Sequence, residues 1–282
     1  MLVGTEKGLF RVSDTGVEPV LGTSTTAIAA DWVVVGDSEV VSLDTDVEVT
    51  TAPLLAKCVA ASAHGALVGT DKAHVLRVHH DGRVETLTSF DAIPSRDHWY
   101  TPWGGPPDTR SIAVTDEGVP LVNVHVGGVW RASTADTWDE VVPVDSDTHQ
   151  VLACESVVLV AAAVGFGESS DGGRTFSWTA DGLHASYLRA VALAGDQVLL
   201  TASTGPFTDR AAVYRRGLGR DEPFERCTDW FGFNIDTFQL AADEQLAVFG
   251  TQAGELYAST DQGSSWTIVA DDLPPVRCVA IP

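Results

Sequence analysis

Short aliphatic runs, most of them closing on a small or polar residue, recur along the whole chain. They read Leu2-Val3-Gly4-Thr5, Val33-Val34-Val35-Gly36, Leu67-Val68-Gly69-Thr70, Leu121-Val122-Asn123-Val124, Leu159-Val160-Ala161-Ala162, Leu199-Leu200-Thr201-Ala202 and Val248-Phe249-Gly250-Thr251. A second pattern, an aliphatic residue followed by Ala, alternates with them at Ile28-Ala29, Val59-Ala60, Ile112-Ala113, Leu152-Ala153, Val191-Ala192, Leu240-Ala241 and Val279-Ala280. Most aliphatic runs continue through a Gly-bearing turn into a third run, such as Gly8-Leu9-Phe10-Arg11, Gly128-Val129-Trp130-Arg131 or Gly254-Glu255-Leu256-Tyr257. A fourth follows, such as Trp266-Thr267-Ile268-Val269. Short β-branched and aromatic runs separated by Gly and Asp turns predict strands. No segment sustains a helical period.

Four strands in a repeating unit of roughly 40 residues describe a propeller blade. A small Ala in the first strand suits the crowding of inner strands near the axis. The repeat closes on the chain's own ends, because Val276-Arg277-Cys278-Val279-Ala280-Ile281 supplies the strand that residues 1–22 lack. Such closure ties down both termini and removes an exposed edge. A β-sandwich or a solenoid does not require it. The expected fold is therefore all-β, a single seven-bladed β-propeller domain spanning 1–282 with four-stranded antiparallel blades. The blades are placed at 276–282 with 1–22, then 24–50, 56–89, 109–143, 148–179, 187–227 and 236–270, with an insert at 90–108.

Two turns between third and fourth strands read Ser169-Ser170-Asp171-Gly172-Gly173-Arg174-Thr175-Phe176 and Ser259-Thr260-Asp261-Gln262-Gly263-Ser264-Ser265-Trp266. They resemble the Asp-box, or BNR repeat, of WD40/YVTN/BNR-like propellers; Ser133-Thr134-Ala135-Asp136-Thr137-Trp138 looks like a shortened copy. Ser and Asp can bond nearby backbone groups, Gly permits positive φ, and the aromatic packs between sheets. The resemblance implies a folding role at the blade periphery for Ser169, Asp171, Gly173, Phe176, Ser259, Asp261, Gly263 and Trp266. It also raises sialidase activity, and Arg110, Arg189 and Arg277 mimic a sialidase Arg triad. However, Gly8-Leu9-Phe10-Arg11-Val12-Ser13 lacks the Pro of that family's early motif, and sialidases have six blades.

Charge changes the picture of the surface. The chain carries 39 acidic and 17 basic residues, a net charge of −22, and its lysines are Lys7, Lys57 and Lys72. This composition resembles proteins of salt-in halophilic archaea, whose dense acidic surface stays hydrated while salt screens its self-repulsion. The sequence is similar to haloarchaeal propeller proteins and, more distantly, to BNR-type assembly factors. Such a surface repels nucleic acid and anionic lipid. Residues 1–6 show neither the basic nor the apolar region of a signal peptide, and no run reaches the length of a spanning helix. Cys58, Cys154, Cys227 and Cys278 form no C-x-x-C pair, which argues against zinc or a disulfide framework. A cytoplasmic, monomeric protein with reduced thiols and without a cofactor or metal is expected.

Candidate chemistry gathers on one face. The resemblance implies that the loops entering the inner strands share a face with those joining second and third strands. Two residues before each aliphatic-Ala pair stand Thr26, Lys57, Arg110, Gln150, Arg189, Phe238 and Arg277, and four of these seven are cationic. A cationic ring at the channel mouth could bind an anion through Arg forks; alternatively, each Arg pairs with a neighbouring Asp. The insert carries His98, Trp99, Tyr100 and Trp103, aromatics suited to stacking on a ligand or to a protein contact, or else to plugging the mouth. His125, His149, His184 and the aromatic loop at Trp230 could lie at the same rim. No P-loop, dinucleotide fingerprint or nucleophile elbow appears. The expected function is a non-catalytic binding or scaffold propeller, its partner an unknown protein or a small anionic ligand held by Lys57, Arg110, Arg189, Arg277, His98, Trp99, Tyr100, Trp103, His125 and Trp230. The alternative is a glycoside hydrolase or lyase using Asp97, His98, Tyr100 and His125.

Overall fold

Strands form where the alternating aliphatic runs predict them, and a computed structural model describes residues 1–281 of the chain. Pro282, expected at the end of the closing strand, lies outside the described residues. Seven four-stranded sheets result, each a blade. Blade one has the order Val276–Ala280, Leu2–Thr5, Gly8–Ser13, Gly16–Leu21, so the C-terminal strand pairs antiparallel with the N-terminal one, Val279 opposite Val3. The inner strands of the other blades are Thr25–Ala29, Ala56–Ser62, Thr109–Val114, Thr148–Cys154, Tyr187–Ala194 and Leu240–Ala242. The fold is a seven-bladed β-propeller.

The chain divides into two compact units. One holds Met1–Thr26, Ala161–Phe166 and the stretch from Trp178 on; the other holds Ala27–Val160 and Gly167–Ser177. In the first, Val3, Val248, Leu256 and Val276 form one buried cluster and Leu199, Val213, Ile235 and Phe249 another. In the second, Trp32, Val34, Val59, Val68 and Val78 pack together. Each cluster joins adjacent blades, so apolar burial is shared between sheets that would be marginal alone.

A three-residue junction recurs where one blade meets the next. In the first unit, a Cβ on Gly4 would collide with Cys278 Sγ and stand 2.8 Å from the Thr25 carbonyl. The Cys278 thiol donates to that carbonyl at 3.7 Å. In the second unit, a Cβ on Gly69 would stand 2.5 Å from Cys58 Sγ and collide with Thr109, and the Cys58 thiol donates to Thr109 O at 3.5 Å. Glycine is required because backbone meets side chain too closely for any other residue. Blade four solves the same junction with polar atoms. Fully buried Asn123 donates to Ser111 Oγ at 3.1 Å and Thr148 O at 3.3 Å, and Thr148 Oγ1 donates to Asn123 Oδ1. In blade six, Thr201 Oγ1 donates to Ile235 O at 2.9 Å and accepts the Ala190 N–H at 3.0 Å. Burial pushes the Cys58 and Cys278 thiols far above their ordinary range, which leaves them as inert packing groups.

The two Ser-x-Asp turns share their central hydrogen bonds. Ser169 and Ser259 donate to Asp171 and Asp261 at 2.7 Å and accept the N–H of Gly173 and Gly263 at 2.9 Å. Each Asp also accepts a hydroxyl at 2.7 Å, from Thr175 or Ser265. Gly173 and Gly263 have φ of 79° and 81°, and a Cβ on either would stand 2.5 Å from a leucine, Leu121 or Leu199, of the preceding blade. Trp266 packs edge-on against Phe249 at 4.8 Å. These turns fasten one blade to its neighbour.

Gly69→Val should lower unfolding stability by about 1–3 kcal/mol through overpacking. Asn123→Leu should lower it by a similar ~1–3 kcal/mol by leaving the buried Thr148 hydroxyl without its acceptor; chemical denaturation of both variants checks this. The Ser265 hydroxyl and N–H, with the Ser259 hydroxyl, hold Asp261 down at about 2. A depressed carboxylate stabilises the fold above its ordinary range and loses that contribution as pH falls toward 2. Asp261→Ala should therefore be less stable than wild type at pH 7, with the gap closing at the acid end of a urea-denaturation series.

Candidate functional site

The insert between blades three and four is built from the core outward. Thr88–Asp91 forms one helical turn and Pro94–His98 a 3₁₀ turn. Phe90 is fully buried, 5.0 Å from Trp138 and 5.7 Å from Trp99, and Trp99 lies 5.6 Å from Trp130. Arg96 covers the Trp99 ring at 4.9 Å and donates to the carbonyls of Ala73 and Lys72 at 2.8 and 3.0 Å. His74 bonds Asp91 at 2.8 Å. Trp99, expected among the presented aromatics, is thus an anchor with 5% exposure. Its large apolar ring finds more contact under the insert than above it.

What the insert presents is Tyr100 and Trp103, 51% and 71% exposed, with exposed His98 beside them. A bond between Thr101 Oγ1 and Gly105 O at 2.8 Å fixes the turn that carries Trp103. The Trp103 ring meets the His125 ring edge-on at 4.8 Å. His125 occupies the loop between the second and third strands of blade four. It is buried, with Nδ1 3.4 Å from Asp108 and Nε2 3.8 Å from Asp147. Asp147 also lies 3.8 Å from fully buried His149. Asp108 precedes the inner strand of blade four and Asp147 that of blade five, so strand-leading loops and the insert do meet here.

Electrostatics holds this cluster together. Burial opposes the Asp108 charge, but His125, Arg110 and Lys57 outweigh it and keep the carboxyl below its ordinary value. The Oδ1 atoms of Asp108 and Asp147 are buried without a hydrogen bond. Val126 and Asp147 hold φ of 42° and 44°, an uncommon conformation that for β-branched Val126 is a strained one. No group of three or more His, Cys, Asp or Glu among the described residues is arranged to hold a metal ion.

In the other unit, Arg189 pairs with Asp236 at 3.0 Å and covers Tyr187 at 5.2 Å, and Arg277 pairs with Glu6. Trp230 is flanked by Arg210 at 4.0 Å, Arg226 at 4.5 Å and His184 at 4.8 Å. Sequence reasoning named His125, Trp103, Lys57 and Arg110 but missed Asp108 and Asp147 as their partners. A signal was present: Asp-Thr stands at the head of both inner strands, at Asp108-Thr109 and Asp147-Thr148. It also missed Arg210 and Arg226, which no repeat marks.

No protein-family model matches the sequence, and no curated protein matches it. Among solved structures the chain is similar to the WD40 repeats of RRP9, with a TM-score of 0.64 and 12% identity over 98% of this chain and 87% of that one. It is similar to YCF48 bound to D1 peptide, with a TM-score of 0.55 and 12% identity over 87% and 82%. It is also similar to an ancestral GH74 enzyme, with a TM-score of 0.61 and 13% identity over 96% of this chain but 38% of that one. At such identities the likeness concerns the fold, and this fold hosts binding proteins and enzymes alike.

Trp99→Ala should cost about 3–5 kcal/mol as a core truncation, whereas Trp103→Ala should stay within about 0.5 kcal/mol as a surface change. Thermal and chemical unfolding of the two variants separates the anchor from the presented residue.

Proposed function

We propose that the protein is a non-catalytic binding propeller that engages a protein partner through the insert between blades three and four. The observation that carries this reading is the division of labour within the insert. Phe90 and Trp99 are spent on anchoring it, while Tyr100 and Trp103 stand exposed on a fixed turn over the His125–Asp108 pair. Rigid aromatics on an anchored loop supply contact area at little entropic cost. The anionic-ligand version of the reading is weakened by the engagement of Arg189 and Arg277 with Asp236 and Glu6, and Arg110 and Lys57 act on the Asp108 carboxylate. The Ser-x-Asp turns support placement among Asp-box propellers, and the acidic composition supports a salt-rich cytoplasm. No helix among the described residues is long and apolar enough to cross a membrane.

A second reading, a glycoside hydrolase or lyase, draws on the imidazole of His125 between two carboxylates and on the strained Val126 and Asp147 beside it. Two experiments separate the readings. A Tyr100→Ser/Trp103→Ser bait, folded as judged by its unfolding midpoint, should lose a partner that wild-type bait captures from native extract. Equal capture by both baits would overturn the binding reading. So would turnover of neutral or anionic oligosaccharides that His125→Ala abolishes.

A further inference from the structure

A second cluster lies on the other unit, on the loops flanking the third strand of blade six, Ala211–Gly217. Arg210 ends the loop before that strand, and Arg226 lies in the two-residue outer strand Glu225–Arg226 that pairs with it. Both guanidinium groups lie over the indole of Trp230, at 4.0 and 4.5 Å. In a chain with 39 acidic and 17 basic residues, Arg83, Arg189, Arg215 and Arg277 each form an ion pair with a carboxylate. Arg210 and Arg226 form none among the described residues, although Asp209 and Asp229 are close in sequence. Arg226 donates one bond, to Thr228 O at 2.5 Å.

The cluster is fixed in place. His184 bonds the Tyr214 hydroxyl at 2.8 Å and the Arg210 carbonyl at 3.2 Å, and its ring meets Trp230 edge-on. Burial first, and then the charges of Arg210 and Arg226, lower the His184 pKa. Two guanidinium charges thus stand beside Trp230, with Asp229 on the wall of the neighbouring cleft. Contact with the indole face holds the two guanidinium groups at the rim, and a guanidinium so held can donate to a carboxylate bidentately.

An apolar point stands beside the charges. Phe207 is 100% exposed, yet its loop is tied down. Asn234 Nδ2 donates to the carbonyls of Gly205 and Pro206 at 3.2 and 3.0 Å, and Thr208 Oγ1 donates to Arg210 O at 2.9 Å. A cleft of about 540 Å³ opens next to Arg226 and Trp230, walled by Asp229, Phe231, Tyr257 and Trp266. A fully exposed Phe on a pinned loop three positions from an ion-pair-free Arg has the residue composition of an interface centre.

We propose that this rim is a docking site for an acidic peptide segment of a partner protein, with a carboxylate held by Arg210 and Arg226 and a neighbouring apolar side chain against Phe207. The choice of occupant follows from charge complementarity and from the apolar point, which a free inorganic anion would leave unused. Because the protein as a whole is anionic, long-range steering opposes such a partner, and recognition depends on short-range bidentate bonds. The site does not involve the insert of blades three and four.

The test is fluorescence anisotropy of a labelled Glu-Glu-Leu-Glu-Glu peptide with the full chain in about 0.15 M KCl, each variant first checked for native circular dichroism. Saturable binding is expected. Arg210→Gln/Arg226→Gln should weaken it at least about tenfold, the loss expected for one charged hydrogen bond. Arg210→Lys/Arg226→Lys should restore little, because Lys keeps charge but not the fork. Phe207→Ser should weaken binding severalfold, and Tyr100→Ser/Trp103→Ser should leave it unchanged, which keeps this site distinct from the insert. A Lys-Lys-Leu-Lys-Lys peptide binding equally well, unchanged affinity in the double Gln variant, or displacement by inorganic phosphate as effective as by unlabelled peptide would each overturn the proposal.

Discussion

The close approach of inner strands at the blade junctions is the constraint from which the rest of the structure follows. At Gly4 and Gly69 a thiol and a threonine occupy the space a Cβ would need, so adjacent sheets meet at backbone distance. Where the junction carries a polar side chain instead, as at Asn123 and Thr201, it bonds within its own blade and across the gap, Asn123 to Ser111 and Thr148, Thr201 to Ala190 and Ile235. An unsatisfied polar atom buried there would cost more than the contact returns. The Ser-x-Asp turns repeat this logic farther along the sheet, with Gly173 against Leu121 and Gly263 against Leu199.

Those rigid junctions let the loops carry chemistry without becoming mobile. Thr109 and Thr148 take part in junctions, and the residues just before them, Asp108 and Asp147, are thereby held at opposite sides of the His125 ring. The insert is secured in the same manner, by aromatic packing around Phe90 and Trp99 and by Arg96 reaching back to the carbonyls of Lys72 and Ala73. Its exposed face is consequently carried on an anchored loop, which favours inexpensive recognition.

Charge is partitioned by function. Several arginines are committed to ion pairs or to backbone carbonyls, as Arg131 is to Gly172. Arg210 and Arg226 are turned instead toward an indole on the rim of blade six. The geometry around His125 and that around Trp230 thus differ in character, the first a buried imidazole between carboxylates, the second an exposed guanidinium pair on an aromatic platform.

The blade repeat was legible from the sequence because each strand is short, β-branched and bounded by Gly or Asp, and because Val276–Ala280 matches the strand missing at the N-terminus. The turn chemistry of Asp171 and Asp261 was legible for the same reason, since its bonds are local. Trp99 and Trp103 were not distinguishable along the chain: four positions apart in one loop, they differ in what packs over them, Phe90, Trp130 and Arg96 in one case and the edge of His125 in the other. Nor could spacing tell that Arg189 and Arg277 are engaged by Asp236 and Glu6 while Arg210 and Arg226 stack on Trp230. Local propensity and turn bonds act over a few residues and can be read in order. Burial and ion pairing depend on residues far apart in sequence, and the tertiary structure alone decided them.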